Sequence, residues 1–307
     1  MNWRTVFIQT DQNIKIKNNS LIIRGMENEE NIPIYLDDIG IIIIDNYKTN
    51  ITIQTLIELT NRNIPLMINN LSHDPVGLLL ALHGHHKPLQ NFNLQLELNQ
   101  REKDKFQQQI IKQKIENQKI LMQYLGSSKI NIEKMDNYHN DVIQGDKRNR
   151  ESSAARLYFI SLFGSGFIRF QDNAINKSMN YGYKVLASKI SSAIVKAGLH
   201  PSLGFFHKTA NNYFNLTYDL IEPYRPLLDF IIVENNEILL NEKDETISLI
   251  MRAKLVSVLD QNVIINNQIT KVRHAIDITI KSIISYFKNN EKELMLPKIS
   301  FNKNEDF

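Results

Sequence analysis

A chain of 307 residues with 42% hydrophobic content is long enough for two folded domains and too apolar to be disordered. Its formal net charge of +3, from 36 basic and 33 acidic residues, excludes a surface that is basic throughout, so nucleic-acid contact would need local clusters of Lys and Arg. With no cysteine, disulfides, thiolate metal sites and cysteine nucleophiles are excluded.

The opening residues hold no apolar stretch of signal-peptide length. The most apolar runs, such as Ile39–Ile44, fall far short of the ~20 residues that a membrane helix needs. A soluble, cytoplasmic protein without a membrane partner is the expectation.

In chain order, the spacing predicts a small β-rich domain over residues 1–82. Residues 5–9 form an apolar-rich strand that stops at Asp11-Gln12-Asn13. Residues 14–17 and 20–24 alternate on either side of an Asn18-Asn19 turn, and 32–36 is another short strand. Asp37-Asp38 then precede Ile39–Ile44, whose composition requires burial on both faces. Residues 52–61 have helical spacing, with Leu56, Leu59 and Thr60 on one side, and 64–68 is a further strand. Residues 83–93, with Gly84, Pro88 and two asparagines, read as a linker.

From residue 94 the apolar period is helical. Residues 101–125 form a long amphipathic helix with Phe106, Ile110, Ile111, Ile115 and Leu121 as its stripe. Further helices are predicted over Arg150–Phe163, over 183–197 with Gly198 as C-cap, and over 214–233, 246–259 and 264–288. The fold class is therefore α+β: a small N-terminal β-rich domain, then a larger C-terminal all-α-helical domain over 94–307. The tail 302–307 is polar.

Three places in the helical part carry side chains able to ligate a metal. Glu151 follows Gly145-Asp146 at the start of a helix, where a first-turn glutamate also suits the helix dipole. His207, in Gly204-Phe205-Phe206-His207, stands at an element end beside aromatic residues, a position that a structural histidine also takes. Asp219 and Glu222 are three residues apart, so on a helix they share a face. Two such acids repel unless a cation lies between them, and Arg225 could supply an ordinary ion pair. Pro223 kinks that helix.

Taken together, these acids and one imidazole suit Mg²⁺ or Mn²⁺ better than zinc. A metal of that kind polarises phosphate oxygens and activates water or a 3′-hydroxyl. Basic residues surround the acids, with Tyr158, Tyr181 and Tyr183 interleaved. Arg148, Arg150, Arg156 and Lys208 bracket Glu151 and His207 and are the candidate DNA-binding residues. Ordinary solvated charge explains the same residues equally well. A second cluster, His83-Gly84-His85-His86 with His73 and Asp74, reads as a solvated or DNA-contacting loop in preference to a metal site.

The segment from Asn149-Arg150-Glu151 to Leu162-Phe163-Gly164 resembles the first catalytic motif of the CRISPR-associated endonuclease/integrase Cas1 family. Asn180-Tyr181-Gly182-Tyr183, Ala197-Gly198-Leu199-His200-Pro201, Gly204-Phe205-Phe206-His207 and the run from Asp219 to Asp229 resemble its remaining motifs, in the same order. Trp3-Arg4-Thr5-Val6 and Glu222-Pro223-Tyr224-Arg225-Pro226 are similar to the type II branch. The sequence departs from the family's pattern at Ser152, where glycine is common, and at His85, where arginine is frequent.

The resemblance implies a β-rich N-terminal and a helical C-terminal domain, with Glu151, His207 and Glu222 as catalytic metal ligands and Asp219 as a secondary acid. It further implies a homodimer that works with a Cas2 dimer and other type II adaptation proteins in antiviral defence. Its activity would be insertion of short double-stranded DNA fragments into a CRISPR repeat, by 3′-hydroxyl attack on a phosphodiester with Mg²⁺ or Mn²⁺. The competing readings are a general DNA-repair nuclease and a non-catalytic helical scaffold that binds nucleic acid.

Overall fold

Short β-branched runs separated by asparagine turns fold the first part of the chain into two four-stranded sheets. The computed structural model describes residues 4–25, 32–82, 88–240, 247–288 and 293–301. Its N-terminal strands are β1 (Arg4–Ile8), β2 (Gln12–Lys17), β3 (Ser20–Gly25), β4 (Ile32–Tyr35), β5 (Ile39–Ile44) and β6 (Asn50–Ile51). Helix α1 (Ile53–Asn61), β7 (Leu66–Asn69) and β8 (Pro75–Leu79) follow. One sheet has the order β1-β5-β7-β8, with β1, β5 and β7 parallel and β8 antiparallel to β7. The other has the order β4-β3-β2-β6. Asn18 and Asn19 close the β2–β3 hairpin with φ of 50° and 60°, the left-handed pair that matches hairpin twist.

All of β5 is buried, and its two faces have different partners. Ile39, Ile42 and Ile44 join Val6, Leu21 and Leu66 in the core of the β-rich part, while Ile41 and Ile43 join Met67 in the core of the helical part. A central strand covered on both sides reads as a continuous apolar run. Asp45, just past β5, pairs with Arg252 Nε at 2.7 Å and accepts from Asn69 at 2.7 Å, a buried polar tie between the two parts.

The remaining helices are α2 (Pro88–Leu96), α3 (Gln100–Tyr124), α4 (Lys129–Asp141), α5 (Arg150–Phe163), α6 (Ala174–Lys196), α7 (Asn215–Ile221), α8 (Arg225–Glu234), α9 (Asn236–Leu240), α10 (Leu249–Val256) and α11 (Val272–Phe287). A capping box starts α3: Asn99 accepts from the Glu102 amide at 3.0 Å and Glu102 accepts from the Asn99 amide at 3.1 Å. Helix α6 is buried along most of its length and packs on α7, α8, α10 and α11. The expected α+β division is what the chain adopts, and no helix of the described residues is long and apolar enough to cross a membrane.

Three local expectations are corrected. Residues 88–93, read as linker, belong to α2, and residues 83–87, with the His83–His86 cluster, lie outside the described residues. The face that α2 buries is polar: Asn91 donates to Ala197 O at 2.7 Å, and Gln95 donates to His200 O at 3.0 Å and Leu203 O at 2.9 Å. Residues 264–271, read as helix, belong to a hairpin of β9 (Asn262–Ile265) and β10 (Gln268–Lys271), so the helical part is not all α. Asn266 and Asn267 turn it with φ of 49° and 58°, as Asn18 and Asn19 turn the first hairpin. The third helix starts at Ala174 instead of residue 183, because Asn173 caps it by accepting from the Asn176 amide at 2.8 Å.

Candidate active site

Glu151 owes its position to the way α5 begins. Gly145, Asp146 and Asn149 all have positive φ, which winds the chain tightly before the helix. Asp146 then caps α5, accepting from the Arg150 amide at 2.9 Å and the Glu151 amide at 3.0 Å. Glu151 therefore leaves the first turn of α5 toward α3.

Glu222 comes to the same place from a helix break. Pro223 and Pro226 lack amide protons, so the chain passes from α7 through a tight 3-10 turn (Glu222–Tyr224) into α8. Asn117 of α3 secures the turn by donating to Pro223 O at 2.7 Å and Pro297 O at 2.9 Å. Glu222 is only 2% exposed, so it is not a solvated surface charge.

Lys114, one helical turn before Asn117 on α3, stands between the two acids. Its Nζ lies 2.7 Å from Glu151 Oε1 and 2.6 Å from Glu222 Oε2. Arg225 takes the other oxygen, with NH1 3.1 Å from Glu222 Oε1. The Lys114 ammonium and the Arg225 guanidinium thus engage both oxygens of the buried Glu222 carboxylate. Burial opposes ionisation of Glu222, but the Arg225 and Lys114 charges outweigh it and hold its carboxyl below the usual range. Burial likewise opposes the Lys114 charge, and the Glu222 and Glu151 carboxylates outweigh it and raise its pKa.

Asp219 turns away from this pair. Its Oδ1 accepts from the His207 amide at 3.0 Å and lies 2.7 Å from His207 Nδ1, and its Oδ2 accepts from the amides of Phe205 and Phe206. Gly204 permits the tight loop, since a β-carbon there would overlap His207 O. Phe205 anchors it by stacking on Phe106 of α3, with ring centroids 4.5 Å apart. His207 is partly exposed, and no hydrogen bond among the described residues engages its Nε2. Burial lowers its pKa, but the Asp219 hydrogen bond and the Asp219 and Glu222 charges outweigh it and raise it above the usual value.

The structure thus brings Glu151 and Glu222 to one cation and places His207 within the field of Glu222, while Asp219 holds His207 from behind. Among the described residues no three His, Cys, Asp or Glu side chains are arranged around one metal-sized point. The donors nevertheless suit a hard divalent ion: two carboxylates, one of them buried, and an imidazole whose Nδ1 is held by a carboxylate partner.

Beside this pair opens a cavity of about 440 Å³, lined by the cations Lys114, Arg169, Lys184 and Arg225, which outnumber its carboxylates Asp74 and Asp229. Its floor is Asp229, which accepts from Tyr183 at 2.6 Å and Tyr158 at 2.8 Å. Burial pushes the Asp229 carboxyl up to about 6, against the lowering effect of both tyrosines and of Arg225. Gly182 makes this floor possible, because a β-carbon there would overlap Leu228 and hold α6 away from α8.

The basic residues singled out in the sequence have different surroundings. Arg148 and Arg150 share one carboxylate, Asp141, at 3.2 and 3.3 Å. Lys208 donates to Gln100 at 2.9 Å. Arg156 is exposed on α5 and makes no ion pair among the described residues. The sequence reading missed Lys114, although the signal was present: it interrupts the apolar stripe of α3 beside Ile110, Ile111 and Ile115, where a lysine needs a buried partner.

The family model for the CRISPR associated protein Cas1 matches residues 6–248. The CRISPR-associated endonuclease Cas1 of Neisseria meningitidis is 32% identical over 300 residues, spanning 97% of each chain. Among solved structures, a casposase bound to integration product superposes with a TM-score of 0.77 at 19% identity, covering 95% of this chain and 92% of that one. A chain of a Cas6-RT-Cas1–Cas2 complex gives a TM-score of 0.71 at 16% identity, covering 94% of this chain and 35% of that one. A helical domain built on a β-rich one is thus a fold shared with proteins of known structure. The chain belongs to the Cas1 family.

Proposed function

We propose that this protein is a divalent-metal-dependent DNA endonuclease and integrase of CRISPR adaptation, which inserts short double-stranded fragments at a repeat boundary. The observation that carries the reading is the convergence of Glu151 and Glu222, from two separate elements, on a single cation position beside a cationic cavity. Two carboxylates gathered around one positive charge, one of them fully buried, do not fit a scaffold with solvated surface acids. The endonuclease named in Neisseria and the integration product held by the casposase support the same chemistry here.

In this reading Glu151, Glu222 and His207 hold Mg²⁺ or Mn²⁺, which would stabilise charge developing on the phosphate oxygens and the leaving oxygen. Asp219 accepts from His207 Nδ1 and so keeps Nε2 as the nitrogen that would ligate the metal. Arg225, Arg169 and Lys184 line the neighbouring cavity and hold backbone phosphates there. The 3′-hydroxyl of a DNA fragment attacks phosphorus at the repeat boundary. A new oxygen–phosphorus bond forms, the bond to the repeat strand's 3′-oxygen breaks, and that oxygen takes up a proton as the attacking hydroxyl loses one. With water as nucleophile the same arrangement hydrolyses the bond. A homodimer acting with a Cas2 dimer and other type II-like adaptation proteins is the assembly proposed, and the structural neighbour from a Cas6-RT-Cas1–Cas2 complex supports its Cas2 part.

The test is joining of a labelled 3′-hydroxyl duplex to a repeat-containing duplex, with purified Cas2 present. Product that forms with Mn²⁺ or Mg²⁺ and disappears with chelator supports the proposal. Equal joining under chelation overturns it.

A further inference from the structure

Among the charged groups around the acidic pair, Lys114 is the one that the proposed chemistry leaves without a task. It is buried, yet it carries its charge into the gap between two carboxylates that the proposed function assigns to a metal. Its contacts of 2.7 and 2.6 Å put an ammonium where a bridging ion would balance the same two acids. The buried Glu222 carboxylate is thus met by two cations, Lys114 on Oε2 and Arg225 on Oε1. Lys114 also lines the 440 Å³ cavity, so its flexible four-carbon stem has room beside the acids into which the ammonium can turn.

We infer that Lys114 is a displaceable internal counter-cation: in the metal-free protein its ammonium keeps Glu151 and Glu222 together, and it cedes that place, turning into the adjoining cavity, when a divalent ion binds. The inference rests on the metal reading of Glu151 and Glu222. Two carboxylates brought this close repel strongly without a positive charge between them, and the repulsion is larger where water is excluded. Lys114 removes that repulsion before metal arrives and competes with the metal for the same oxygens.

Mn²⁺ binding to the full-length protein, measured by calorimetry and by the loss of the free-ion paramagnetic resonance signal, tests this directly. Lys114→Met is expected to bind Mn²⁺ at least tenfold more tightly than wild type. Without metal it should unfold at a lower temperature than wild type, and saturating Mn²⁺ should narrow that gap. Lys114→Arg keeps the charge and should gain no affinity. If Lys114→Met cannot be purified without metal, Lys114→Gln prepared in Mn²⁺ and then stripped with chelator gives the same comparison. Affinity unchanged or weakened in the neutral variants, while wild type binds Mn²⁺ and Glu222→Gln does not, overturns the inference and leaves the metal site standing. Mn²⁺ binding that is absent from wild type, or unaffected by Glu222→Gln, removes the metal site and the inference together.

Discussion

The Nδ1 atom of His207 lies 2.7 Å from Oδ1 of Asp219, and this contact leaves Nε2 as the ring nitrogen that no hydrogen bond among the described residues engages. Because Asp219 also accepts from the amides of Phe205, Phe206 and His207, one buried carboxylate sets the loop and the imidazole together. Asn at this position cannot accept from all of these donors. Asp219→Asn should therefore lower stability by about 1–3 kcal/mol, the cost of unmet buried donors. It should also slow DNA joining by roughly 10–100-fold, as expected when the carboxylate behind a metal-bound histidine is removed. Thermal unfolding and joining measured on the same preparation check both, and wild-type joining would show that His207 needs no such support.

Close approach of α6 and α8 depends on Gly182. Gly182→Ala forces its methyl into Leu228 and should cost about 1–3 kcal/mol by overpacking. Leu228→Ala in the same chain should recover part of that loss, since it removes the atoms that clash. Denaturant unfolding of the two single variants and the double variant gives the coupling. Simple additivity would place the strain elsewhere.

Asp229 supplies a pH dependence with a definite sign. Its carboxyl is pushed up to about 6 in the fold, whereas an aspartate in an unfolded chain titrates near ~4. Between those values the folded protein binds the proton and the unfolded chain does not, so stability falls as pH rises through this window and levels off above it. The difference amounts to about 3 kcal/mol at most. Asp229→Asn stays neutral throughout. Urea unfolding from pH 4 to 7 should show wild type losing stability relative to this variant, and a relative gain would contradict the assignment.

Arg148 and Arg150 are both held by Asp141, which offsets part of their charge. Asp141→Asn should tighten duplex DNA binding by freeing them for phosphates. Arg148→Ala/Arg150→Ala should make log affinity less steep against log salt, by roughly 0.9 for each phosphate that is no longer neutralised. Affinity measured at several salt concentrations separates these outcomes, and an unchanged slope in the double variant would put the DNA path on another face.

Much of the fold was legible because its signals are local. Asn18-Asn19 and the all-apolar Ile39–Ile44 named a hairpin and a central strand, and Phe106, Ile110 and Ile111 named the buried stripe of α3. The helix α2 was hidden because Asn91 and Gln95 bury a polar face whose partners, Ala197, His200 and Leu203, are about a hundred residues away in sequence. The β9–β10 hairpin was hidden because Ile264, Ile265 and Ile269 also fit a helical period, although Asn266-Asn267 carried the turn signal that Asn18-Asn19 carries. At the site, the motifs named Glu151, His207 and Glu222. Spacing suggested that Asp219 and Glu222 share one centre, yet the helix ends between them: Asp219 serves the 205–207 loop and Glu222 serves Lys114. Lys114 itself becomes meaningful only once α3, α5 and the Glu222 turn meet, which spacing along the chain does not encode.

In the proposed function Glu151, His207 and Glu222 act as one metal-dependent unit on DNA. Single-turnover joining of a labelled 3′-hydroxyl fragment to a repeat duplex, in saturating Mn²⁺, by wild type, Glu151→Gln, His207→Ala and Glu222→Gln measures this. Each single variant should lose at least roughly a hundredfold in rate, and combining them should add little, because residues acting as a unit are not additive. Joining at the wild-type rate by any two of the three, in protein whose unfolding temperature shows it to be folded, would show that these residues do not form such a unit.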